Sequence, residues 1–201
     1  MLRILKRIIP DLLNSIYQPF LFALVLSFFV MFFVMYVSKS KETRVKDRVL
    51  NGLKDWKYCF LHSVKFRRLL YVIFILVMIM FRTLLNRDAG INPLSDTIGI
   101  WGFYNKEGKF TIQIIENVIM FMPLLFFLFF FLEKTTKKVT KFLSVMGRSV
   151  VISLAISLTI EMLQLFLHLG TWQLSDLCFN TLGGLIGGLI YWVSVKLRRV
   201  K

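Results

Sequence analysis

The stretch TIEMLQLFLHLGTWQLSDLCFNTLGGLIGG, residues 159–188, sets Glu161, Gln164, Asp176 and Asn180 among leucines and phenylalanines and ends in two close glycine pairs. Its flanks extend it into two continuous apolar runs, 146–167 and 177–195, each near the roughly 20 residues a helix needs to cross a hydrocarbon layer. Neither run alternates as a barrel strand would, and lipid admits only helices or closed barrels. The stretch is therefore read as two membrane helices that carry polar groups where such groups are costly.

The rest of the chain follows the same pattern. Three more spans are expected at 17–37, 69–85 and 112–132, so the fold class is all-α, a polytopic transmembrane helix bundle of about five membrane segments. The composition agrees: 57% of the 201 residues are hydrophobic, 21 are phenylalanine, and mean hydropathy is +0.69. A soluble domain of this size would lack the polar surface to cover itself. The start, MLRILKRIIPDLL, lacks the small-residue cleavage site of a signal peptide, and an uncleaved chain is expected.

The net charge of +15 is carried by short segments that flank apolar blocks, where Lys and Arg meet anionic headgroups. Membrane lipids, not nucleic acid, are the partners this implies. Segment 38–68 has ten Lys or Arg against three acids, 133–145 has Lys134, Lys137, Lys138 and Lys141 against Glu133, and the tail has Lys196, Arg198, Arg199 and Lys201. Segment 86–111 is balanced at three against three, and 168–176 has neither Lys nor Arg. The positive-inside rule then expects a multi-pass membrane protein with the basic loops and the C-terminus cytoplasmic. Five spans place the N-terminus outside, against the pull of Arg3, Lys6 and Arg7. The alternative is an interfacial helix followed by a break near Pro10 and Pro19. In the basic loop, Trp56, Tyr58 and Phe60 interleave with lysines as an interfacial anchor does. The division expected is 1–68, a membrane segment plus basic loop, and 69–201, the transmembrane helical domain.

On this topology the intramembrane polar residues gather toward the outer side. Arg82 ends the second span, Glu116 and Asn117 open the third, Glu161 and Gln164 approach the outer end of the fourth, and Asp176 and Asn180 open the fifth. Glu161, Gln164 and His168 are spaced to share one helix face. Such residues normally face a bundle interior or a wet cavity. They are read either as a structural network, in which Arg82 neutralises Glu116 or Glu161, or as a site for a polar headgroup, peptide or sugar. Gly183, Gly184, Gly187 and Gly188 form overlapping small-xxx-small pairs for close packing, which brings Asp176 and Asn180 toward the fourth helix, and Ser175 or Asp176 can cap the fifth. His168 is expected at the surface and Cys178 as a small core residue; no metal-ligand or catalytic spacing is present, and no cofactor is expected.

ENVIMFMP and then the opening stretch resemble the VanZ-like family of small bacterial membrane proteins. The family's pattern is matched by Asn117, Phe121 and Pro123, by Ile160, Glu161 and Gln164 as IExxQ, and by Asp176, Asn180, Thr181, Gly183 and Gly184 as DxxxNTxGG. NPLSDTIG, 92–99, resembles the family's first outer loop. The likeness covers 70–192; Leu125 and Thr171 stand where members usually carry glycine and often arginine. The resemblance implies packing roles for Pro123 and the glycines and a cell-envelope role, namely binding of a lipid-linked cell-wall component or lipoglycopeptide and lowered susceptibility to teicoplanin. An intramembrane enzyme with Glu161 or Asp176 as general base, and a structural subunit of an envelope complex, are the alternatives. A membrane-protein partner and a homo-oligomer both stay open.

Overall fold

Inside a bilayer every backbone N–H and C=O must find its partner within the protein, and helices meet that demand locally. The computed structural model describes residues 2–38, 45–85, 92, 94–133 and 141–200. These form six helices: α1 (Leu2–Ser38), α2 (Val45–His62), α3 (Val64–Met80, continued by a π-helical turn, Phe81–Leu85), α4 (Gln113–Leu132), α5 (Phe142–Leu167) and α6 (Leu174–Val200). Five stretches are long and apolar enough to span a membrane: Ile8–Val37, Val64–Leu85, Gln113–Leu132, Phe142–Leu167 and Leu174–Arg198. Most begin earlier than hydropathy alone suggests, because polar residues at helix ends dilute the apolar signal while the helix continues. At α3 the start is set by Ser63, whose hydroxyl accepts the Phe66 amide hydrogen at 3.2 Å.

Of the two alternatives for the first segment, the break near Pro10 and Pro19 is not found, since α1 runs unbroken through both. Pro19 is fully buried, and packing against neighbours offsets the hydrogen bond its ring removes. At about 1.5 Å per residue the 37 residues of α1 extend about 55 Å, well beyond a hydrocarbon layer of about 30 Å. Phe22 lies 5.1 Å from Phe81 at the far end of α3, and Phe28 lies 4.8 Å from Trp56 of α2. α1 is thus antiparallel to α3.

The segments that carry Arg68, Glu133 and Arg198 meet at one end of the bundle, whereas Arg3, Lys6 and Arg7 open α1, which runs antiparallel to α3 and starts from the other end. At the first of these ends Arg68 donates to the Phe130 carbonyl at 2.6 Å and approaches Glu133 at 3.7 Å, while Arg198 covers the Phe130 ring at 4.7 Å. We call this the basic end. The opposite end holds the π-helical turn, the 94–112 segment and the first turns of α4 and α6. At the basic end α2 lies against α1. Its Trp56 packs on Phe28, Phe60 and Phe66, and Tyr58 faces outward against His62. Residues 56 and 60 share a helix face while 58 lies opposite, so the expected anchor is divided between an inward pair and an outward tyrosine.

α6 is the hub, packed along both α4 and α5, while α3 bridges α4 to α1. Two ridges on α6 achieve this. Asn180, Gly184 and Gly188, four residues apart, face Ser157, Ser153 and Ser149 of α5 in antiparallel register. The three serines are fully buried; Ser149 and Ser153 return their hydroxyls to carbonyls of their own helix at 2.8 and 2.6 Å. The second ridge, Gly183 and Gly187, meets the backbone of α4. A Cβ on Gly183 would stand 2.5 Å from the Val118 carbonyl oxygen, and one on Gly187 would overlap that of Met122. Close backbone approach is the use expected of these glycines. Pro123 lies inside an unbroken α4, and Leu125 is fully buried where Gly184 and Gly187 leave room for it. Cys178, expected in the core, is exposed on the outer face of α6. By helical rotation it lies on the side of α6 opposite the two inward ridges.

Gly187→Ala should lower stability in detergent by about 1–3 kcal/mol, the usual cost of overpacking. Gly147→Ala, where an added Cβ meets nothing within 4 Å, should be neutral or gain about 0.5–1 kcal/mol from lost unfolded-state freedom. Equal unfolding curves for the two variants would refute the close contact of α6 with α4.

Candidate functional site

The end opposite the basic one is built around the first turn of α6. Helix starts leave amide hydrogens without partners. Here the Leu174 amide donates to the Thr97 carbonyl at 2.9 Å and that of Ser175 to the Ile98 carbonyl at 3.3 Å. In return the Ser175 hydroxyl accepts the Ile100 amide hydrogen at 3.1 Å. Gly99, at φ +76°, is required here, since any Cβ would strike Ser175 and Gln173. Nearby, Asp96 accepts the Gly99 amide hydrogen at 3.2 Å, and the Lys106 ammonium at 2.7 Å holds its carboxyl below the usual range. The segment resembling the family's outer loop is therefore stitched to α6.

Asp176, 4% exposed, sits third in α6, where a negative charge suits the helix dipole. Its Oδ1 accepts from Gln113 Nε2 at 2.7 Å and from Asn117 Nδ2 at 2.8 Å, both on α4. It was expected to approach the fourth span. Asn180 does so, donating to Ser157 of α5 at 2.9 Å. Gln173 ties three elements together: its amide donates to Glu161 Oε2 at 2.9 Å, its side-chain oxygen accepts from Gln113 at 2.8 Å, and its side-chain nitrogen donates to Thr171 at 2.9 Å. Thr171, which stands at the arginine position of the family's pattern, thus has a structural use.

Glu161 and Gln164 are both 1% exposed. Gln164 Nε2 donates to the Thr83 carbonyl at 2.7 Å, satisfying an acceptor near the end of the π-helical turn. Its Oε1 is buried and accepts no hydrogen bond from the described residues. His168 does not share their face. It lies past Leu167 at φ 54°, exposed, as the left-handed residue that ends α5.

Arg82 pairs with Glu116, at 2.5 Å, and not with Glu161. The pair lines a cavity of about 220 Å³ together with Ile79, Thr83, Thr111, Gln113, Asn117, Met120, Phe121 and Asn180. The expected polar cluster is therefore divided. Arg82, Glu116, Asn117 and Asn180 face the cavity, whereas Glu161, Gln164 and Asp176 bind the elements that form it. Gln113 and Gln173 were not anticipated. Gln113 lies four residues before Asn117 on the same face of α4, a signal that could have found it, while Gln173 sits in an irregular segment that gives none. Among the described residues no group of three His, Cys, Asp or Glu side chains is placed to hold a metal.

In a double-mutant cycle of Arg82→Gln and Glu116→Gln, each single change should destabilise and the double should cost less than their sum, by a coupling of about 0.5–3 kcal/mol. Strict additivity in reversible unfolding would mean that the pair does not act as a unit.

No curated protein and no solved structure matches the chain. A family model described as VanZ/LLP1 does match, over residues 66–195. That range contains α4 and α5 and nearly all of α3 and α6, hence the helices that build the cavity. The chain belongs to the VanZ/LLP1 family.

Proposed function

We propose that the cavity binds the polar headgroup of a lipid or lipid-linked envelope compound whose apolar part lies along the outer faces of the bundle. One observation carries this reading. The Arg82–Glu116 pair is on the wall of a cavity, with the Arg82 side chain 30% exposed and that of Glu116 8%. Arg82 makes one hydrogen bond among the described residues, to Glu116, so most of its five donors are available. A pair that served stability alone would gain little by keeping one partner open. The volume limits the ligand: at about 30 Å³ per water-sized group it admits about seven. A headgroup fits; a whole glycopeptide does not.

The membrane is the bacterial cell membrane, with the basic end and the C-terminus cytoplasmic and the cavity in the outer leaflet. The support is that the basic segment 38–68 and the basic tail meet at one end, which outweighs Arg3, Lys6 and Arg7 at the start of α1. A lipoglycopeptide such as teicoplanin then meets the protein from outside through its lipid-bearing part, and lowered susceptibility follows from competition at, or shielding of, the lipid-linked target. The enzymatic alternative loses support at Glu161 and Asp176, since neither lines the cavity. The structural reading is favoured for those two and for Gln164 by their hydrogen bonds to neighbouring elements.

Orientation is tested with C-terminal reporters. A fused green fluorescent protein should fluoresce and a fused alkaline phosphatase should be inactive, and the reverse pattern would invert the topology. Binding is tested by native mass spectrometry of detergent-extracted protein. Wild type should retain a lipid or lipid-linked species that Arg82→Gln loses and Ser194→Ala, an exposed change on α6, retains. Identical spectra from all three folded proteins would leave the cavity without a ligand role.

A further inference from the structure

We infer that the cavity selects a compact zwitterionic headgroup, one bearing a primary ammonium beside a phosphate or carboxylate, over a headgroup of net negative charge. This rests on the headgroup-binding reading above and names the chemistry of the same site.

Among the described residues, the charged groups lining the cavity are Arg82 and Glu116, which cancel. A ligand of net charge would leave that charge uncompensated in a medium of low dielectric, at a substantial cost. A zwitterion brings both signs to partners already in place. Its anionic oxygens can use the guanidinium donors that Glu116 does not occupy.

The α4 and α6 side chains of the lining are arranged for the ammonium. The Asp176 carboxylate accepts hydrogen bonds, so Gln113 and Asn117 must turn their NH₂ groups toward it. Their own oxygens are thereby turned from Asp176. Asn180 likewise gives its nitrogen to Ser157. The amide oxygens of Gln113, Asn117 and Asn180, and the second oxygen of Glu116, accept no hydrogen bond from described residues, and all four side chains line the cavity. The lining therefore offers donors on a cation and acceptors beside an anion. An ammonium with three N–H groups can satisfy several of these acceptors at once, whereas a trimethylammonium can satisfy none and needs more room.

Ethanolamine phosphate is the simplest such group. The test titrates wild-type protein in one detergent with three short-chain lipids of identical acyl composition, carrying phosphoethanolamine, phosphocholine or phosphoglycerol. Soluble O-phosphoethanolamine is a fourth probe, and affinity is read by thermal shift and native mass spectrometry. The ethanolamine lipid should bind about tenfold or more tightly than the glycerol lipid, with choline between, as a charge-assisted hydrogen bond implies. Glu116→Gln should abolish the ethanolamine preference, and Arg82→Gln should weaken all three lipids. Competition by the soluble probe at similar concentration would make the ligand a free zwitterion. Failure to compete would make it a lipid headgroup, and either result supports the zwitterionic selection. Equal or tighter binding of the glycerol lipid overturns that selection while leaving headgroup binding intact, and this comparison needs no variant to fold. If none of the lipids binds wild type better than it binds Arg82→Gln, the headgroup reading itself fails.

Discussion

The close approach of α6 to two helices at once is the constraint on which the molecule depends. Lipid tails are as apolar as leucine, so helices in a bilayer are joined by packing and hydrogen bonding rather than by expulsion of water. Gly183 and Gly187 let α6 reach the backbone of α4, while Gly184 and Gly188 meet the serines of α5. The two ridges diverge by about one residue, 100° around the helix, which suffices to address two neighbours. Each ridge has a polar residue toward the first turn, Asp176 for α4 and Asn180 for α5. Packing brings the helices together and the polar residues fix their register.

The cavity follows from this arrangement. Over most of its length α6 lies close against both α4 and α5. At the first turn of α6 side chains larger than glycine separate the helices, and α3 widens into its π-helical turn, a departure often found at functional sites. Arg82 is carried on that turn and reaches across to Glu116 on α4. The 94–112 segment closes the end by supplying carbonyls to the unpaired amides of α6. A polar cavity at a membrane helix end needs fewer compensating groups than one at the bilayer centre, since the cost of ionised side chains falls toward the interface.

The same network shows why several polar residues in one neighbourhood need not have one task. Glu161, Gln164 and Asp176 are engaged by backbone or side-chain groups of adjoining elements, and removing one would strand a buried donor or acceptor. Arg82 and Glu116 satisfy each other and keep hydrogen-bonding capacity toward open space. Burial together with the direction of the remaining hydrogen bonds separates scaffold from site.

The sequence by itself determined the all-helical membrane class, the five spans and the packing use of the four glycines. Each of these depends on local composition or on spacing along one helix, where the 3.6-residue period converts sequence directly into a face. It also drew attention to the polar residues at this end of the bundle, though not to Gln113 or Gln173. Only the tertiary structure decided their partners: Arg82 with Glu116, Asp176 with α4, Glu161 with the backbone of Gln173. It also decided that Cys178 faces outward, that α1 passes unbroken through Pro10 and Pro19, and that Gln113 and Gln173 belong to the network. The physical reason is that a hydrogen bond between helices depends on their rotation and depth relative to each other. Those are set jointly by every contact in the bundle, and no single stretch of chain contains them.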